Sequence, residues 1–245
     1  MLKPILIRLL PVLFLLTSCR FQGEKPVMVN GAFPDGGGSS LVLQEMDTHE
    51  IHPVDSVTLD REGKFSFTLI LNEPGFWLLR ARSGKILVLL LNPGDQVELS
   101  GKFAGFPGNV IMKGPQDAML LDGFFRSTRQ SEYEVDSLET LLLEWQDSAR
   151  YYELTRNVDA RFRQILERQR ALEKNFINKN PGSLASLVVL NYAFGMNPVL
   201  NPDSDFAYYL KLDSALLRAY PGNKHVTFHH QRVLEFKRKI SAGKY

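Results

Sequence analysis

The spacing of apolar residues along this chain changes once, near Gly114. Before it, apolar and polar positions alternate in short runs. After it, apolar residues recur at intervals of three and four. The clearest alternation is Lys64-Phe65-Ser66-Phe67-Thr68-Leu69, which as a strand buries one face. Residues 27–31, 41–44, 56–59, 96–99 and 109–112 read as further strands. Residues 76–81 and 86–91 are apolar strands, the second nearly continuous and therefore expected at the centre of its sheet. Turns are marked by the glycine-rich stretch 35–40, by Asp60-Arg61-Glu62-Gly63, by Glu73-Pro74-Gly75 and by Asn92-Pro93-Gly94-Asp95. Turn signals about every 8–12 residues predict an antiparallel β-sandwich or barrel over residues 27–114.

The helical pattern starts with residues 116–128. Residues 133–152 then carry Leu138, Leu141, Leu142, Trp145, Ala149 and Tyr152 as one stripe. Asn157 is placed to cap a third helix with Val158, Phe162, Ile165, Gln169, Leu172 and Phe176 on one side and mostly arginines on the other. Pro181 ends it. Residues 183–194 are apolar on most faces and predict a buried helix. Asn201-Pro202 opens the next, and Asn223 caps the last, which runs to about residue 240. The expected fold class is α+β, with an antiparallel β-domain followed by a helical domain over residues 115–245. No repeat of about 20–50 residues suggests a solenoid.

Composition narrows the class. With 245 residues, 44% hydrophobic and 23% charged, the chain is of globular type, which excludes disorder throughout. Its one long apolar run, Leu9 to Leu16 behind Lys3 and Arg8, is about half the length of a spanning helix, so residues 1–18 read as a signal peptide. The end of that run, Leu16-Thr17-Ser18-Cys19, resembles the lipobox of bacterial lipoproteins. The resemblance implies cleavage before Cys19, a diacylglyceryl group on its sulfur and an acylated amine. Residues 19–26 then form a tether. The competing reading is a plain secretory peptide with an incidental cysteine. Several acyl chains, at ~0.8 kcal/mol per buried CH₂, make a stable anchor. By analogy with lipoprotein sorting, Arg20 after Cys19 points to the outer membrane, with the protein facing the periplasm. Removing Lys3 and Arg8 leaves 27 basic and 27 acidic side chains, which gives no electrostatic case for nucleic-acid binding.

Several phrases resemble a known envelope family. Asp55-Ser56-Val57, Gly63-Lys64-Phe65-Ser66-Phe67, Pro74-Gly75-Phe76-Trp77-Leu78-Leu79-Arg80 and Leu91-Asn92-Pro93-Gly94-Asp95 carry the likeness, with Gly101 and Gly114. Phe176-Ile177 and Asn180-Pro181-Gly182-Ser183-Leu184-Ala185-Ser186 extend it into the helices. Together they resemble the domain of unknown function, with its helical linker, that precedes the thioredoxin-like domain of TlpA/ResA-type thiol-disulfide oxidoreductase lipoproteins. In that family a CxxC domain follows. This chain carries one cysteine, Cys19, and thiol exchange needs a second sulfur to resolve the mixed disulfide. The resemblance therefore does not transfer oxidoreductase activity.

Other candidate chemistry is local. His225 and His229 stand four apart on the last predicted helix, with His230 beside them, a spacing that suits either a metal or simple packing. His49 and His52 flank Glu50-Ile51 in a polar stretch near Glu45 and Asp47, and folding has to join the two clusters to build a ligand set. The stretch 36–40 lacks the Lys-Ser/Thr of a P-loop. Asp35 and Asp60 sit where turns favour Asp. No GxSxG or SxxK sequence is present. The expectation is a lipid-anchored accessory or binding protein with no catalytic centre, metal or cofactor. Its expected partners are the membrane, through Cys19, and an envelope protein. The alternative is the anchor or adaptor portion of a thiol-disulfide oxidoreductase, docking a separate thioredoxin-like chain. Candidate docking residues are Trp77, one of whose strand neighbours must face the other way, and the basic cluster Lys237, Arg238 and Lys239, with Lys244 beyond it.

Overall fold

Eight strands build the N-terminal unit of the computed structural model, which describes residues 25–242. The signal segment, Cys19 and Lys244 lie outside the described residues. The strands are β1 (Val27–Ala32), β2 (Ser40–Met46), β3 (Ile51–Thr58), β4 (Lys64–Leu69), β5 (Gly75–Ala81), β6 (Ile86–Leu91), β7 (Gln96–Ser100) and β8 (Ile111–Lys113). They form two packed four-stranded sheets, β4-β1-β7-β8 and β3-β2-β5-β6. Every pair in them is antiparallel except β1 with β7, which run parallel with Met28 opposite Gln96. The first sheet is therefore mixed. The turn at Asn92–Asp95 carries the chain from one sheet to the other. The Asp95 carboxylate there accepts from the Asn92 N–H at 2.8 Å, and the Asp95 carbonyl accepts from the Met28 N–H at 2.9 Å.

Alternation decides what each strand buries. Val29, Leu43, Phe67, Leu79, Leu89 and Val97 meet between the sheets. On β5 and β6 the opposite face is buried as well, because Phe76 and Leu90 pack into the core of the helical unit. The apolar run 86–91 is thus explained, but not as a central strand: β6 ends its sheet in hydrogen-bonding order, and α1 covers it. β3 is the other edge. It starts at Ile51, is solvent-exposed along most of its length, and holds Pro53 beside a bulge in which Leu43 pairs with Asp55 and Gln44 with Pro53, leaving Val54 over.

The helices are α1 (Gln116–Glu144), α2 (Tyr151–Lys179), α3 (Ala185–Leu190), α4 (Pro202–Ala219) and α5 (Lys224–Ser241). A two-residue hairpin, β9 (Ala193–Phe194) and β10 (Asn197–Pro198), follows α3. α1 joins the helix expected over 116–128 to the first part of the one expected over 133–152, because its polar middle faces α2 rather than breaking the helix. The second expected helix is itself interrupted at 145–150, so its stripe does not hold, with Trp145 and Ala149 exposed and Tyr152 part of α2. Thr128, fully buried, donates to the Phe124 carbonyl and accepts from Gln169 of α2. α2 begins at Tyr151, so Asn157 lies inside it and caps nothing. The buried segment 183–194 is helical only to Leu190, where the Asn191 amide donates to the Leu187 carbonyl and closes the turn. Asn201 and Asn223 do cap α4 and α5, accepting from Asp203 and from His225 and Val226.

Two buried polar groups lock the helices. Asp205 of α4 accepts from Arg170 at 2.6 Å and pairs with Lys174 at 2.8 Å, both from α2, and also takes the Asn201 N–H. Burial alone raises its pKa, but Lys174, the Asn201 N–H and Arg170 outweigh it and hold the carboxyl below its ordinary range. Asp205→Ala leaves two cations without a partner, and is expected to cost about 3 kcal/mol in urea unfolding, the low end for a buried pair because both cations keep some solvent. Glu173 and Gln169 of α2 are fully buried; Gln169 donates to Glu173, and among the described residues Gln169 Oε1 and Glu173 Oε2 have no partner. Burial pushes the Glu173 carboxyl from 4.5 up to about 9. Between those values the unfolded chain gives up a proton that the native state keeps, so stability falls as pH rises through the window. Glu173→Gln removes that slope, read as urea midpoints at pH 7 and pH 9 that lie closer together than in the parent.

Candidate functional site

The helices do not cover the whole outer face of the β3-β2-β5-β6 sheet. Where β2 ends, the turn at 47–50 leans on α5, and the His49 ring meets Phe228 edge-on at 5.0 Å between centroids. Between this turn, α3 and α5 opens a cleft of about 500 Å³. Its floor is Met46, Phe76 and Val88 from three neighbouring strands. Leu187 and Val188 of α3 form one wall, and Phe228 of α5 the other. The polar lining is sparse: Asp47 and Thr48 on the turn, Asn191 and Tyr192 after α3, and His225, His229 and Arg232 on α5. The α5 residues share a side because they recur at intervals of three and four.

α5 is pinned at its N-terminus. The Asn223 side chain that caps it also donates to the Pro74 carbonyl at 2.8 Å, in the turn before β5. The Lys224 N–H donates to Glu73 at 3.1 Å, and its ammonium bridges Glu45 and Asp47. The Thr48 N–H, and after it Lys224, holds the Asp47 carboxyl below its ordinary range. The acid at this end of the cleft is thus already matched.

Further along α5 the histidines are occupied or sealed. The His225 ring lies against Phe76 at 4.8 Å, and its Nε2 is buried with no hydrogen-bond partner among the described residues. His229 stacks on Tyr209, with Nε2 3.4 Å from the Tyr209 carbonyl. Burial holds both rings below the ordinary histidine range, aided at His225 by the charge of Lys224. Arg232 differs. It is half-buried, donates to Asn191 Oδ1 at 3.1 Å and lies 5.8 Å from the centre of the Phe236 ring. Among the described residues no acidic side chain pairs with it.

The fold brings the two histidine groups together without making a ligand set. His49 meets Phe228, His230 binds Asp213 at 3.0 Å, and His52 turns outward to Glu50 at 3.6 Å. Among the described residues no group of three or more His, Cys, Asp or Glu is arranged to hold a metal. Trp77 is 4% exposed and packs between the sheets, and Phe76 beside it is equally buried under the helices. The docking role for Trp77 is therefore corrected: its side of the strand faces the opposite sheet, and the other side is covered by helices except at the cleft. Lys237, Arg238 and Lys239 are exposed on the last turns of α5, with Lys239 near the Phe236 ring. Asp35 and Asp60 bind backbone N–H groups of their own turns and neighbours, at 2.6 Å to Phe103 and 2.8 Å to Glu62. By residue type the sequence offers no signal for Arg232 or Asn191, and points to Asp47 only as a neighbour of His49 and His52. The spacing of His225, Phe228, His229 and Arg232 is visible there, but the opposing wall comes from residues about 35–180 positions away.

Because the buried rings resist protonation, the unfolded chain takes up protons below its ordinary histidine pKa, about 6.5, that the native state refuses, and stability falls with pH there. His225→Phe, which keeps the ring against Phe76 and removes the unpartnered nitrogen, is expected to flatten this acid limb. The check is the difference in urea midpoint between pH 7 and pH 5, compared with the parent.

No family model matches the chain, and no curated protein does. Among solved structures, the matches include an NMR structure of a protein from Eubacterium rectale, 9% identical, at a TM-score of 0.23. That alignment covers 39% of this chain and 93% of the other, a likeness too low to define a shared fold.

Proposed function

We propose that this chain is a lipid-anchored binding protein of the cell envelope, held to the membrane, the outer rather than the inner, through Cys19 and facing the periplasm. It carries no catalytic centre of its own. The observation behind the binding role is the cleft of about 500 Å³ on the outer face of the sandwich, where strands supply an apolar floor and helices the walls and several converging polar groups. Its polar groups support binding rather than catalysis, because most are already engaged. Asn191 Nδ2 donates to Leu187, the Tyr192 hydroxyl donates to Glu132, and Asp47 is matched by Lys224. The order of units, a sandwich followed by helices, supports a second reading, in which the chain is the adaptor for a separate thioredoxin-like protein bearing a CxxC pair.

The anchor is tested with labelled palmitate. Cys19→Ala is expected to lose the label and leave the membrane fraction; a variant still cut at this site and still membrane-bound ends the lipoprotein reading. The cleft is tested by native mass spectrometry of the chain extracted from its own membranes. A small bound mass is expected on the parent and not on Val88→Trp, whose indole fills the floor. A parent with no bound mass, or a mass retained by the folded variant, counts against the cleft.

A further inference from the structure

We infer that the cleft is built for a hydrophobic monocarboxylate, its carboxylate on Arg232 and its hydrocarbon body along Phe76, Val88 and Phe228. This rests on the cleft being a binding site. The argument begins with charge. Arg232 is the one strongly basic side chain on the lining, and among the described residues no acid pairs with it. Its guanidinium is nonetheless held in place, by the Asn191 carbonyl oxygen on one nitrogen at 3.1 Å and by the Phe236 ring at 5.8 Å. One N–H is used there. The rest of the planar fork remains for an incoming anion, and a carboxylate fits it with two parallel hydrogen bonds.

The other end of the cleft limits the ligand to one charge. Asp47 lies beside Lys224 at the start of α5, 3.4 Å from its ammonium. A helical rise of ~1.5 Å per residue puts Arg232 about 12 Å farther along α5, which leaves room for an extended eight-carbon chain. Between the two ends the floor is Met46, Phe76 and Val88, and the walls are Leu187, Val188 and Phe228 with the two buried histidine rings of α5. A second anionic group at the far end meets the Asp47 carboxylate, and Lys224 is already shared between Glu45 and Asp47. The two histidines add no cation: His225 and His229 are buried in the lining, and burial holds both rings below the ordinary histidine range. The cleft therefore has one basic end, an apolar middle and an acidic end, which selects an anion with a tail.

The experiment is calorimetric titration of the purified soluble chain, residues 20–245, with octanoate and with its neutral isostere octanamide. The parent, Arg232→Gln and Val88→Trp are compared, each checked for native circular dichroism. Octanoate is expected to bind the parent better than octanamide does. Arg232→Gln is expected to weaken octanoate by roughly tenfold to a hundredfold, the range for a lost charge-assisted bond, and to leave octanamide unchanged. Octanamide binding the parent as well as octanoate overturns the carboxylate assignment while leaving the cleft as a binding site, provided Val88→Trp abolishes both. Octanoate bound equally by Val88→Trp places it elsewhere and overturns the inference. Binding of neither probe also overturns it, and the native mass measurement then decides the cleft reading separately.

Discussion

The double-sided burial of β5 and β6 is the constraint from which the rest of the arrangement follows. One face of these strands closes the sandwich through Trp77, Leu79 and Leu89. The other places Phe76, Leu78 and Leu90 where water would meet them if nothing covered the sheet. Burying an aromatic or branched side chain contributes about 1.5–3 kcal/mol, so a bare outer face forfeits several such terms at once. The helices supply the cover. α1 lies along β6, and α5 is tied to the turn before β5 through Asn223, Lys224 and Glu73. The β-unit and the helical unit thus share an interface, and neither has a solvent-adapted surface where they meet.

The cleft follows from that cover being incomplete. α3 is only six residues long, and the chain then turns back through a two-residue hairpin. A longer helix would close the sheet; this one leaves a gap above Phe76 and Val88. The surrounding polar groups are mostly used in holding the gap's walls, with Asn191 both stopping α3 and orienting Arg232. The same side chain ends a helix and sets the direction of a charge.

Much of this was legible along the chain, for identifiable reasons. The strand–turn rhythm, the change of period near Gly114 and the Asn201 and Asn223 caps are local chemistry, and local chemistry survives folding. What was not legible depends on partners distant in sequence. The run 86–91 looks central because it is apolar on both sides, but its second cover is a helix and not a strand. Thr128 looks like a helix end until Gln169 is placed opposite it. Trp77 looks available until both of its sheet faces are accounted for. The site is harder still: histidines attract attention by type, whereas Arg232 stands out because among the described residues no acid pairs with it, and that is a property of the assembled wall.

The parallel pairing of β1 with β7 has a consequence in time. β1 is an interior strand of its sheet, between β4 and β7. Its apolar residues Val27 and Val29 come early in the chain, yet the sheet is not continuous until Gln96 reaches Met28. A chain made or delivered N-terminus first therefore holds this strand without its second neighbour while most of the sandwich is still to arrive. Such long-range pairings close slowly, because loop entropy is lost before contacts repay it. An exposed strand edge in that interval invites pairing with other chains. The parallel pairing thus leaves one edge of β1 open until residues 96–100 arrive, more than sixty positions after β1 itself ends.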